Sequence, residues 1–272
     1  MAIKSPLINV MERAARKAGR GLVRDFGEVE QLQVRTKGPA DFVSNADHKA
    51  DQILRDELGH ARPDFGLLTE ESGETAGTET SYRWIVDPLD GTTNFLHGIP
   101  HFCISIGVEG RSVLGGKQVT EIVAGLVYDP VHDQSFWAEK GVGAYLNDRR
   151  LRVSGRRDLA TSLIASGLPT LGRADPDVHQ AETRALMEKV AGIRRFGAAA
   201  LDLAWVAAGR YEAFWEVALK PWDIAAGILL VREAGGFVTE VNGGNNMMTS
   251  GSILASNGQI HADIRSILAK SL

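Results

Sequence analysis

The chain has 272 residues, 44% hydrophobic and 24% charged, an ordinary globular composition with enough chain for one large core or two joined lobes. A formal charge of -4 excludes a global attraction to nucleic acid or an anionic membrane, so an anionic ligand must be held by local means. Cys103 is the only cysteine, which excludes an intrachain disulfide and fits a reducing, cytoplasmic setting.

Leu7, Met11, Ala14 or Ala15, Ala18 and Leu22 recur at helical spacing, with Glu12, Arg13, Arg16 and Lys17 between them. This predicts an amphipathic helix ending near Gly27, not a signal peptide. A loop over 37–41 leads to a second helix, with Ala46, Ala50, Ile53, Leu54 and Leu58 as its stripe and Ser44 or Asn45 as N-cap. Strand patterns follow at 65–69, 84–86, 102–108, 122–128, 135–138 and 144–146. Asn147-Asp148 signals a turn, and extended chain is expected again at 151–153. From residue 162 strands (162–166, 193–196, 211–215) alternate with helices (177–191, 198–208, 223–233), and strands at 237–241 and 253–255 precede a closing helix. Such alternation implies sheets covered by helices. The longest apolar runs, such as 228–231, are core-sized and too short to span a membrane. The chain reads as a single catalytic unit, residues 1–272, with an N-terminal lobe over 1–153 and a C-terminal lobe over 154–272.

The chemistry concentrates where apolar segments end in acids. WIVDPLDGTTNF (84–95) places Asp87 and Asp90 at the end of a buried strand. Two like charges so close raise each other's ionisation cost unless a cation neutralises them. Hard divalent cations such as Mg²⁺ take a few carboxylate oxygens, and the Leu89 carbonyl can turn inward as a neutral ligand. Gly91-Thr92-Thr93 resembles a helix start, whose N–H groups favour phosphate. LLTEES (67–72) repeats the theme with Glu70 and Glu71, and KPWDIAAG (220–227) puts Asp223 at the start of an apolar helix, where an N-cap is the plainer reading.

Together these segments resemble the inositol monophosphatase family of Mg²⁺-dependent, lithium-sensitive sugar-phosphate phosphatases. WIVDPLDGTTNF is one signature and PWDIAAGILLVREAGG (221–236) the other; LHGIPHF (96–102), YDPV (128–131) and GVGAYLN (141–147) match the family's linking segments. The resemblance implies an α+β fold, a layered αβαβα sandwich shared with fructose-1,6-bisphosphatase. It implies two or three Mg²⁺: Glu70, Asp87 and the Leu89 carbonyl at the first, Asp87, Asp90 and Asp223 at the second, and Glu70 at a weaker third. Thr92 with Glu70 orients the attacking water, near Asp47 and Lys37. The Gly91 and Thr92 N–H groups hold the phosphate, and Asp90 is implied as a substrate contact too. Gly197, Ala198, Ala199, Glu216 and Asp223 face the polyol. Ala198 departs from the Thr or Ser common in the family, which leaves the sugar open among myo-inositol 1-phosphate, fructose 1,6-bisphosphate, histidinol phosphate and nucleotide 3′-phosphates. A homodimer is implied as well.

Other signals read as ordinary. His97, His101 and His179 form no zinc set. Cys103 is expected to pack, and Trp205, Trp215 and Trp222 to serve a core or subunit contact. An aspartyl-phosphate mechanism wants its acids two positions apart, whereas Asp87 and Asp90 are three apart. Arg149, Arg150, Arg152, Arg156 and Arg157 form a basic cluster that reads as a solvated face, the alternative being a regulatory RNA or protein contact. Neither a membrane nor a nucleic-acid partner is expected.

Overall fold

In the computed structural model, which describes residues 3–28, 34–38, 41–169 and 174–271, the first amphipathic segment forms helix α1 (Pro6–Phe26). Ser5 accepts the Ile8 N–H, Pro6 pre-sets the first turn and Gly27 closes the last. Of the segment expected as a loop over 37–41, Lys37 and Gly38 instead end β1 (Val34–Gly38) and Asp41 opens the antiparallel β2 (Asp41–Ser44), while 39–40 lie outside the described residues. These strands are short, largely polar and flank a Gly-Pro pair, so no apolar face announces them. The side chains of β1 and β2, Lys37 included, lie outside the described residues.

Helix α2 (Asn45–Ala61) begins where the N-cap signal stands. There follow β3 (Gly66–Thr69), β4 (Gly73–Thr75), β5 (Tyr82–Asp90), the short helix α3 (Thr92–Leu96), β6 (Cys103–Leu114), β7 (Lys117–Asp129), β8 (Gln134–Glu139), β9 (Gly143–Leu146) and β10 (Arg149–Arg150). Strands β3 to β10 build an eight-stranded sheet ordered β10-β9-β8-β7-β6-β5-β3-β4, in which only β3 and β5 run parallel. The extended segment expected at 151–153 is not a strand: pairing stops at Arg150, and Leu151 only donates its N–H to the Ala144 carbonyl.

The C-terminal half supplies β11 (Leu163–Ser166), α4 (Pro176–Met187), β12 (Gly192–Arg194), α5 (Ala199–Ala207), β13 (Ala213–Glu216), α6 (Pro221–Glu233), β14 (Phe237–Thr239), α7 (Met247–Ser250), β15 (Ile253–Ser256) and α8 (His261–Lys270). Its sheet runs β12-β11-β13-β15-β14, parallel among the first three and antiparallel beyond. Helix α4 stops at Met187, four residues short of the expected end.

Three apolar seams separate five layers, helix–sheet–helix–sheet–helix. Ile8, Met11, Leu22, Leu54 and Leu58 of α1 and α2 pack on Trp84, Ile106, Leu126 and Trp137 of the large sheet. On its other face Val127, Phe136 and Ala138 meet α5 and α6, which in turn cover Phe214 and Ile253 of the small sheet. Ile164, Trp215 and Leu254 face Leu186 of α4 and Ile264 and Leu268 of α8. Each such large side chain contributes about 1.5–3 kcal/mol by leaving water, offset by chain entropy. Helix α6 lies hard against the sheet because Gly107 and Gly125 have no side chain: a Cβ there would sit 2.8 Å from Ala225 Cβ and 2.9 Å from the Ala226 backbone. No helix among the described residues is long and apolar enough to cross a membrane.

Candidate active site

The strand that carries Asp87 and Asp90 is irregular between them. Asp87 pairs with Ser105 and Asp90 with Cys103, so three steps on β5 match two on β6. In a regular strand, residues three apart point to opposite faces. The bulge absorbs the extra residue and brings both carboxylates to the same side. Glu70 follows β3 and donates its N–H to the Val86 carbonyl, which sets it beside Asp87. Glu71 turns instead toward His48, 3.8 Å away.

Beyond Asp90 the chain turns at Gly91, whose φ of 91° favours glycine and whose absent Cβ would meet the His101 carbonyl at 3.0 Å. Helix α3 starts there. Thr92 Oγ1 lies 2.9 Å from the Leu89 carbonyl and 3.2 Å from Asp47 Oδ1, so buried Asp47, on the first turn of α2, reaches the site through the Thr92 hydroxyl. Asn94 ties this turn to the C-terminal half: its Nδ2 donates to the His101 carbonyl at 2.8 Å and the Phe196 carbonyl at 2.7 Å.

The C-terminal half brings its own acids to the same cleft. Asp223 is not an N-cap; it is the third residue of α6, and its Oδ2 accepts the Lys220 N–H at 2.7 Å. Glu216 ends β13. The N-terminus of α5 meets Asp90, whose Oδ2 accepts the Ala200 N–H at 2.7 Å. Glu70, Asp87, Leu89, Asp90, Gly91, Thr92, Gly197, Ala199, Glu216 and Asp223 therefore line one cleft of about 170 Å³. The Ala198 side chain is buried instead, beside Gly91. The Lys37 side chain is outside the described residues.

Sequence reasoning missed several cleft residues. Gly167 leaves room for Glu216: a Cβ at Gly167 would lie 1.9 Å from the Glu216 carboxyl carbon. Arg195, exposed at the rim, Asn94, Leu168 and Leu219 line the cleft too. Nothing local in the sequence announces these contacts, which join positions far apart in the chain.

The electrostatics follow from crowding. Burial pushes the Asp87 carboxyl well above the usual range, and Glu70, Asp90 and Asp223 push it further. Asp90 is pushed up to about 7, chiefly by burial and also by Glu70, although the Ala200 N–H opposes the shift. Glu216 is raised by burial and then by Asp223, Asp202 and Asp90. The acids are thus close enough to feel one another and costly to ionise together without cations. Among the described residues no three His, Cys, Asp or Glu side chains meet as a ready-made metal cage. The donors are instead an open, oxygen-only set, carboxylates plus the Leu89 carbonyl, which suits a hard ion that keeps water and substrate oxygens in its shell. Cys103 is buried with Sγ 3.6 Å from Asp90 Oδ2, and burial pushes its thiol up, as befits a packing residue. His101 is half-buried against Phe196 and Trp205.

A profile of the inositol monophosphatase family matches residues 3–272. Inositol-1-monophosphatase of Rhizobium meliloti is 52% identical over 269 residues, 99% of this chain and 98% of the relative. Nus factor SuhB of Escherichia coli is 43% identical over 255 residues, covering 94% and 92%. Among solved structures, the extragenic suppressor protein suhB from Bartonella henselae superposes with a TM-score of 0.92 at 54% identity, covering 98% of this chain and 100% of that one.

Proposed function

The chain belongs to the inositol monophosphatase family and is a phosphoric monoester hydrolase, and from that premise we propose that it hydrolyses myo-inositol 1-phosphate or a closely related polyol or sugar phosphate with Mg²⁺. The family is metal-dependent, generally on Mg²⁺. One observation carries the reading: Glu70, Asp87, Asp90 and Asp223, from three separate segments, line one cleft beside Gly91 and Thr92.

Glu70, Asp87 and the Leu89 carbonyl would hold one ion, Asp87, Asp90 and Asp223 a second, and Glu70 a weaker third. Mg²⁺ supplies Lewis acidity there, acidifying the attacking water and offsetting charge on the phosphoryl and leaving oxygens. The protein's own part is alignment. Thr92, held by Asp47 and the Leu89 carbonyl, orients the water together with Glu70. Lys37 adds positive charge near Asp47 in this reading. The Gly91 and Thr92 N–H groups steady the phosphoryl oxygens, and Asp90 borders the bound substrate as well as the second ion. Glu216, Gly197 and Ala199 bound the space for the alcohol, and Glu216 accepts its hydroxyl hydrogen bonds. Water attacks in line, without a phosphoenzyme, and the two sheets act as one catalytic unit. We also read the protein as cytoplasmic and as a homodimer, with exposed Ile99 and Phe196 as apolar surface for a second copy.

The test is phosphate release from myo-inositol 1-phosphate, fructose 1,6-bisphosphate, histidinol phosphate and a nucleotide 3′-phosphate, each with Mg²⁺, with EDTA and with added lithium. Fastest Mg²⁺-dependent release from inositol phosphate is expected; undiminished release in EDTA sinks the metal reading, and a different preferred ester sinks the substrate. A second reading adds an RNA contact through Arg149, Arg150, Arg152, Arg156 and Arg157, all exposed. It requires that changing the first three to Ala abolish RNA binding at constant phosphatase activity.

A further inference from the structure

The acidic cleft occupies one end of β5, β6 and α6; a second cavity, of about 540 Å³, lies at the other end of the same three elements. Its charged wall comes from Arg83 on β5, Glu109 and Arg111 on β6, Glu121 on β7 and Arg232 on α6. Arg83 is seven residues of strand from Asp90, on the order of 20 Å. Arg232 is nine residues of helix from Asp223, about 14 Å. The volume is that of a small-molecule site.

Nearly all of this charge is already matched. Glu109 takes Arg83 at 2.9 Å and Arg111 at 3.5 Å, Arg83 also reaches Glu74 at 2.8 Å, and Glu121 pairs with Lys140. Arg232 is the surplus: it is exposed at the cavity wall, and among the described residues its guanidinium makes no hydrogen bond or ion pair. The dipole at the end of α6 favours a cation there, which explains the charge but not the cavity in front of it. Asn245 and Asn246 add amide donors, and among the described residues no aromatic side chain lines the wall, which disfavours a nucleobase. A guanidinium fork presents parallel donors suited to the oxygens of a phosphoryl group.

We propose that this cavity is a second anion site, distinct from the catalytic cleft, that takes a small phosphate-bearing solute on Arg232 with Arg111 beside it. The chemistry fits either free phosphate or a phosphate monoester. The test is a calorimetric titration of the Mg²⁺-loaded full-length protein with inorganic phosphate and, separately, with methylphosphonate, a non-hydrolysable stand-in for a monoester. Two binding classes are expected. Arg232→Gln should weaken one class at least tenfold while leaving turnover at saturating substrate unchanged, and Arg232→Lys should retain that class within a few-fold. Asp223→Asn should spare the same class and disturb the other, so failure here is distinguishable from failure of the catalytic assignment. The tighter of the two probes names the source. A single class in the wild type that Asp223→Asn removes, or two classes untouched by a folded Arg232→Gln protein, overturns the proposal.

Discussion

At the scale of single residues, the cleft is made by acids that have little other reason to be crowded together. Asp90→Asn and Asp223→Asn keep the size and the ability to accept the Ala200 and Lys220 N–H groups, but remove the charge. Turnover with Mg²⁺ should fall on the order of 10²- to 10³-fold or more while circular dichroism and melting remain native. Near-normal turnover in either variant would dismiss its proposed role at the metal. Gly167→Ala tests the other wall: the new methyl would overlap the Glu216 carboxyl, so kcat/KM should drop about tenfold or more, mainly through KM, with Mg²⁺ dependence retained. An unchanged KM would show that Glu216 does not touch the substrate. Asp87, Asp90, Glu70 and Asp223 were legible in the sequence because each ends or begins an apolar segment. Gly167 and Arg195 were not, since their meaning lies in proximity to residues that no local pattern connects.

At the scale of elements, periodicity located the large helices and central strands and failed where pairing rather than pattern defines a strand. The β1–β2 hairpin and the three residues of β4 have too little apolar face to be seen, and Leu151–Val153 looks extended yet finds no partner strand. The bulge in β5 was equally hidden: a spacing of three is visible, but only the ladder to β6 shows that both acids face one way. Helix α6 was recognisable, whereas its closeness to the sheet depends on Gly107 and Gly125 on neighbouring strands. Gly125→Val should therefore destabilise the protein by about 1–3 kcal/mol in denaturant unfolding, because the branched side chain meets the Ala226 backbone instead of a movable side chain. Wild-type stability in that variant would mean that α6 can shift freely, and with it Asp223.

At the scale of the whole molecule, three apolar seams hold five layers, and the acids sit where the two sheets' ends meet. Concentrating carboxylates there has a pH signature. Asp90 titrates at about 7 when folded, against about 3.9 in an unfolded chain, and Asp87 and Glu216 are raised too. Between those values the folded protein binds more protons than the unfolded one, so this contribution to stability is complete below about pH 4 and is lost as the pH rises through 7. Without metal, the carboxylate cluster should lower Tm between pH 5 and pH 8, an effect that Asp90→Asn reduces. The Tm gain from Mg²⁺ should be larger at pH 8 than at pH 5, where protons compete for the same oxygens. Equal gains at both pH values in a thermal-shift series would contradict the coupling. The extra residue between Asp87 and Asp90 also governs how this stretch can be re-engineered. Removing one codon there would leave a regular two-residue spacing, with both carboxylates still on one face but the bulge gone and with it the backbone course that brings the Leu89 carbonyl to Thr92, whereas exchanging Pro88 or Leu89 for another residue of similar bulk keeps the count. Libraries aimed at a new ester should accordingly vary letters at 88 and 89 and never their number.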